Sequence, residues 1–279
     1  MSTVEKVNKD EAEENSNTSV YSHVSPFSAV EKVNEDVPKA EENSNTSVYS
    51  WHSCVSTLNT VQEADAPRQE QEDINVALKY VAKEECYESE RLGLFGKSLP
   101  NEVAMMIQVS KGPSVPQIIK LLDWYETRKE YILVIERPTP CKDLRKYLVQ
   151  NDGRISESKA RAVMHQVVTA ERICFERGVF HSDIKLENLL INENSLQVKL
   201  IDFGVSRSLK TFGYTRYNGT KLYAPPEAFH RRWRYHAKPA TVYSLGVLLF
   251  VLLFGKYPYK VKPEALANIL KEAEISKGI

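Results

Sequence analysis

"FHSDIKLENLLI", Phe180 to Ile191, is the stretch on which the fold and chemistry of this chain turn. Asp183, Lys185 and Asn188 set a carboxylate, an ammonium and an amide within six residues, with apolar residues on both flanks. A second stretch, "LQVKLIDFG" from Leu196 to Gly204, has the pattern of a strand leading into a turn and adds a carboxylate at Asp202.

Upstream, "SESKARAVMHQVVTAERICFERG" has helical periodicity and ends at Gly178, a residue suited to the left-handed position after a helix. Before it, "INVALKYVAK" predicts a strand with Lys79 near its end, and "LPNEVAMMIQVS" a helix carrying Glu102. "QIIKLLDWY" and "EYILVIERP" predict two more strands, the second stopped by Pro138, which cannot donate to a ladder. Downstream come a loop rich in Gly, Thr and Tyr, the apolar run Val242–Phe254 and an amphipathic segment, "PEALANILKEAEI". The apolar run is short for a bilayer and fits a buried core helix. Strands first and helices afterwards predict an α+β fold of two lobes, a small β-rich lobe at 74–136 and a helical lobe at 137–279.

Singly, each of these polar residues is a weak signal. In this order and spacing they resemble the working parts of a protein kinase. The resemblance implies that Lys79 holds the α- and β-phosphates of ATP and that Glu102 pairs with it. It implies that Asp183 accepts the proton of the acceptor hydroxyl, that Lys185 steadies the γ-phosphate, and that Asn188 and Asp202 hold Mg2+. Such chemistry is mostly positioning and charge neutralisation, which is why it uses carboxylates and an amide at the metal and lysines on the phosphates.

The stretches "ILVIERPTPCKDL", "GVFHSDIKLENLLI", "VKLIDFG", "NGTKLYAPPE" and "ATVYSLGVLLF" narrow the resemblance to the Pim family of serine/threonine protein kinases, over roughly Ile74 to Tyr259. The "ERP" segment is its most telling feature, because Pro138 lacks the N–H that most kinases offer to adenine. By the same resemblance Glu136 offers its carbonyl to the adenine, Ile135 is the gatekeeper, Asp143 lies near the ribose and Thr220 lines the substrate channel. The implied protein is an enzyme that phosphorylates Ser/Thr hydroxyls of protein substrates.

Several departures bear on activity. All 11 glycines lie at Gly93 or later, so the glycine lid that kinases place over the phosphates before Lys79 has no counterpart. Losing such donors costs on the order of 10²–10³ in rate. Ser182 stands where the arginine that clamps the activation loop is expected, and Arg216 and Asn218 replace acids in that loop. Lys146 and Leu186 stand where the family tends to carry acids that select basic peptides. The missing glycine lid predicts an incomplete small lobe, and the end of the sequence at Ile279, soon after the amphipathic segment, predicts a C-terminally truncated helical lobe with an open face for a protein partner. Two readings follow: a serine/threonine kinase, or a pseudokinase that binds without catalysis.

Composition bounds the rest. Residues 1–73 carry 15 acidic and 5 basic side chains, so the remainder balances at +10 in a chain of zero net charge. "VEKVNKDEAEENSNTSVYS" (Val4–Ser22) recurs as "VEKVNEDVPKAEENSNTSVYS" (Val30–Ser50), and this acidic, polar front predicts a disordered tail. Cys54, Cys86, Cys141 and Cys174 have no metal-binding spacing and, with no signal sequence in evidence, predict a reducing compartment, the cytoplasm or the nucleus. Nothing in the charge pattern predicts a nucleic-acid or membrane partner.

Overall fold

A computed structural model of the chain describes residues 76–83, 89–91, 98–230 and 232–260. The acidic front, the region where a glycine lid was sought and the segment "PEALANILKEAEI" lie outside them.

"VALKYVA" forms strand β1 (Val76–Ala82). Two short strands, β2 (Ser89–Arg91) and β3 (Ser98–Pro100), pair antiparallel and lead directly into helix α1 (Asn101–Val109). Strands β4 (Leu121–Glu126) and β5 (Glu130–Glu136) follow, turning at Thr127, whose Oγ1 accepts the N–H of Glu130 at 3.0 Å. The β-branched and aromatic content of "EYILVIE" suits a central strand. It lies between its neighbours in the antiparallel order β1-β5-β4, and its ladder stops before Pro138 as expected.

The second half is helical, with small strand pairs set among the helices. β6 (Lys142–Asp143) leads into α2 (Leu144–Gln150), which Asp143 caps by accepting the N–H of Lys146 at 2.8 Å. α3 (Glu157–Glu176) starts at an Ser156 cap and ends before Gly178, which has a φ of +75°. Then come β7 (Val179–Phe180), β8 (Leu189–Ile191), β9 (Val198–Leu200), β10 (Arg207–Ser208) and α4 (Ala237–Phe254). The strands pair as β6-β8-β9 and β7-β10. Two-residue strands carry no periodicity, so sequence pattern did not reveal β6, β7 or β10.

One hydrophobic cluster runs through both halves: Val103 and Met106 of α1, Leu133 and Ile135 of β5, Val163 and Val167 of α3, Leu189, Leu200 and Leu248. The fold is thus the α+β, two-lobed arrangement expected from the sequence, and the seam between its halves is where loops of both meet.

Helix α4 starts five residues earlier than the apolar run, because Pro239 falls in the first turn, where its missing N–H has no partner to lose. It is long and apolar enough to cross a membrane by length and composition. Yet Ala240, Ser244, Val247, Leu248 and Val251 are buried at helical spacing, and Ser244 Oγ donates to the Tyr223 carbonyl at 2.8 Å. That is the behaviour of a core helix with one open side.

Between α3 and α4 lies an anomaly. Glu171 is 2% exposed, and neither carboxylate oxygen has a hydrogen-bond partner among the described residues. Burial pushes its pKa up to about 8; Thr241 lies close enough to temper the rise but not in hydrogen-bonding geometry. A carboxyl raised in the folded state costs nothing below its ordinary pKa of 4.5 and an increasing amount as pH climbs toward 8. Glu171→Gln should therefore raise stability by about 2–4 kcal/mol at pH 8.5 and leave it little changed near pH 4.5. Urea denaturation at both pH values checks this, and a pH-independent difference would refute it. Gly255, with φ +65°, ends α4 where an added Cβ would stand 2.7 Å from the Gly153 carbonyl oxygen. Gly255→Ala should cost about 1–3 kcal/mol in the same assay.

Candidate active site

Two clusters of polar side chains form at the seam. In the first, Lys79 Nζ lies 2.6 Å from Glu102 Oε1 and 2.9 Å from Asp202 Oδ1. Lys79 comes from β1, Glu102 from the first turn of α1 and Asp202 from the turn after β9, so one ammonium ties three elements together. Burial would lower the pKa of Lys79, but the two carboxylates outweigh it and hold the ammonium well above the ordinary lysine range. Burial likewise works against ionisation of Asp202, yet Lys79 overrides it and the net direction is down. Glu102 sits deeper: burial raises its pKa, Lys79 pulls it down, and Asp202 pushes it up again.

In the second cluster, Asp183 Oδ1 accepts the backbone N–H of Thr220 at 2.6 Å. Its Oδ2 accepts from Asn188 Nδ2 at 2.9 Å and from Lys185 Nζ at 2.7 Å. Lys185 Nζ also donates to Thr220 Oγ1 at 3.1 Å, and Asn188 Nδ2 to the Asp183 carbonyl at 2.9 Å. Asp183 is therefore fixed from three sides. The loop bearing Thr220 approaches so closely that a Cβ on Gly219 would collide with the Ser182 carbonyl, which is why glycine stands there.

His181 joins the clusters, and reasoning from sequence missed it. Its buried ring accepts the Asp183 N–H on Nδ1 at 3.3 Å, which leaves the proton on Nε2 to donate to the Ile201 carbonyl at 3.0 Å. Burial lowers its pKa and keeps it neutral. The signal available was a histidine two residues before Asp183 in an otherwise apolar run. Leu189 pairs with Leu200 across β8 and β9, and the Ile201 N–H donates to the Asn188 carbonyl at 3.0 Å, so Asn188 and Asp202 stand at adjacent strand ends. Ser182 and Asp202 have φ of +70° and +65°, a strained conformation for non-glycine residues that tends to persist where function needs it.

The site's chemistry fits Mg2+. Asn188 Nδ2 is engaged by Asp183, while no described residue donates to Asn188 Oδ1 or to Asp202 Oδ2. Two oxygen acceptors, one of them anionic, suit a hard cation that takes few protein ligands and completes its shell with phosphate and water. Among the described residues no group of three or more His, Cys, Asp or Glu side chains gathers, as a metal caged wholly by protein would need.

The other residues singled out by sequence lie on adjoining strand ends. Glu136 ends β5, and its Oε1 accepts from the Lys120 N–H at 2.8 Å and Lys199 Nζ at 2.9 Å. Asp143 faces Leu190 across β6 and β8, and besides capping α2 it pairs with Lys146 Nζ at 2.9 Å. Ser182, at the position expected for an arginine clamp, donates its hydroxyl to the Val205 carbonyl at 3.2 Å. The loop it would have clamped is held instead at the Arg216 carbonyl, which accepts from Arg207 at 2.9 Å and from Tyr235 Oη at 3.1 Å.

Comparison with known proteins agrees with this geometry. The family model for the protein kinase domain matches residues 63–277. The chain is 38% identical over 192 residues to the serine/threonine-protein kinase pim-2 of Danio rerio, covering 66% of this chain and 61% of that protein. It is 37% identical over 185 residues to the serine/threonine-protein kinase prk-2 of Caenorhabditis elegans, covering 66% of this chain and 40% of the relative. The chain thus spans well under two thirds of the length of these relatives.

The ion-paired trio makes a stability prediction. Lys79→Met leaves two neighbouring carboxylates without their cation and should cost about 2–4 kcal/mol at pH 7. The deficit should shrink as pH falls toward 4.5 and those carboxylates take up protons. Urea denaturation at the two pH values measures it; an undiminished deficit at low pH would show that the lysine stem, not its charge, matters.

Proposed function

The chain belongs to the protein kinase domain family, and on that premise we propose that it transfers the γ-phosphoryl group of ATP to serine or threonine hydroxyls of proteins. The observation that carries this reading is the setting of Asp183, whose carboxylate is oriented by Thr220, Asn188 and Lys185. Similarity to pim-2 and prk-2 supports the Ser/Thr specificity.

In this reading each residue has a distinct task. Asp183 accepts the proton of the acceptor hydroxyl, and His181 fixes the backbone beneath it. Lys185, already bridging Asp183 and Thr220, is placed to steady phosphate charge beside the acceptor. Lys79, kept charged by its carboxylate partners, binds the phosphates of the nucleotide, and Glu102 orients it. Mg2+, held by Asn188 and Asp202, would supply neutralisation of phosphate charge. Glu136, Ile135 and Asp143 border the region assigned to adenine and ribose, with Ile135 buried in β5. The binding-module alternative draws on residues outside those described, and the geometry of the site lends it no support.

Asp183→Asn keeps the shape of the site and removes the proton acceptor. Phosphate incorporation into a serine-containing protein or peptide, with Mg-ATP, should fall by about 10²-fold or more. Turnover that is absent in the parent protein, or equal in the variant, would sink the assignment.

A further inference from the structure

The surface formed by the loop that contacts Asp183 and by α2 carries a small excess of positive charge. Lys221, exposed, directly follows Thr220, whose backbone is bonded to Asp183. Arg216, also exposed, belongs to the same loop, and among the described residues neither it nor Lys221 forms an ion pair. On the other flank, α2 presents Arg145 and Lys146. The acids beside them are Glu187, 3.4 Å from Arg145, and Asp143, 2.9 Å from Lys146, so each is matched by its own cation. Glu227, partly buried, is a further acid a few residues on from Lys221. Leu186, next to Lys185, is 2% exposed and offers no charge. The local balance is positive and would repel a basic peptide.

The same chain contains a segment of the complementary kind. "AEENSNTSVYS" occurs twice without change, at Ala12–Ser22 and Ala40–Ser50. In each copy two glutamates stand just before Ser16 or Ser44, with a threonine and further serines following. These copies lie in the 1–73 region whose net charge is −10. Residues 51–75 can span up to roughly 85 Å when extended, so chain length does not prevent the second copy from reaching the seam.

We propose that the surface around Asp183 selects acidic Ser/Thr segments, and that the duplicated AEENSNTSVYS sequence of this chain docks there in cis. Arg216 and Lys221, which form no ion pair among the described residues, are the specificity-determining residues. The proposal relies on the phosphotransfer reading only for what the docked hydroxyl then undergoes.

The test is peptide binding by fluorescence anisotropy, without nucleotide, on the full-length chain. The probes are labelled AEENSNTSVYS and its swap, AKKNSNTSVYS. A chain carrying Glu13→Lys, Glu14→Lys, Glu41→Lys and Glu42→Lys, its own tail disarmed, should bind the acidic probe about tenfold more tightly than the swapped one. It should also bind the acidic probe more tightly than the parent chain does, because the parent's tail competes. Adding Arg216→Glu and Lys221→Glu should reverse the preference toward the lysine probe, a gain that only a folded protein can show. Equal binding of the two probes, or preference for the lysine probe by the tail-disarmed chain, overturns the selectivity. Equal binding of the acidic probe by parent and tail-disarmed chains overturns docking in cis. Absence of phosphate incorporation with Mg-ATP, while the binding preference persists, would count against phosphotransfer alone.

Discussion

The contact between Lys79 and the carboxylates of Glu102 and Asp202 is the constraint on which the site depends. It is the point where the first strand, the first helix and the turn after β9 meet through polar groups. Such a buried arrangement is a poor source of net stability, because desolvating three charges costs about as much as their attraction returns. Its effect is positional. Lys79 satisfies two anions only if β1, α1 and the Asp202 turn hold their relative places, and the hydrophobic cluster beneath supplies that rigidity through Val103, Leu133 and Leu200.

The same division of labour holds at Asp183. Strain at Ser182 and Asp202 is maintained by specific neighbours: the Val205 carbonyl on Ser182, Gly204 and Lys79 on Asp202, and the close approach of Gly219. His181 couples the two strained turns through one neutral ring, bonded to Asp183 on one side and to the residue before Asp202 on the other. A charged imidazole there would place two donors where one acceptor is required, so burial of the ring also protects the geometry.

Much of this was legible because chemistry-bearing residues in kinases sit at fixed offsets from strand ends and turns. Lys79, Glu102, Asp183, Lys185, Asn188 and Asp202 could be named from a resemblance carried by their order and spacing, and Thr220 from the narrower resemblance of "NGTKLYAPPE"; the strand of Lys79 and the helix of Glu102 follow hydrophobic periodicity. What escaped has physical causes. β6, β7 and β10 are too short for a period, and form because neighbouring loops are pressed together by long-range packing. His181 is a second-layer residue whose role lies wholly in its bonds to backbone atoms. The α2 cap and the Lys146 pair made by Asp143, both products of local geometry, were likewise not read from the sequence. Glu171 is an apolar position by period and a carboxylate by identity, and pattern alone reports only the period.

Ser182 shows most clearly how sequence and structure divide the work. The missing arginine suggests a loop without the clamp expected at that position. The loop is nonetheless held, by Arg207 and Tyr235 on the Arg216 carbonyl and by the backbone pairing of Tyr214 with Tyr235. These are bonds to neutral carbonyls within an aromatic cluster of Phe180, Tyr214, Tyr217 and Tyr235. None of them depends on adding or removing a charge. The loop is therefore placed by folding itself, through packing and hydrogen bonds that the sequence around Ser182 does not announce.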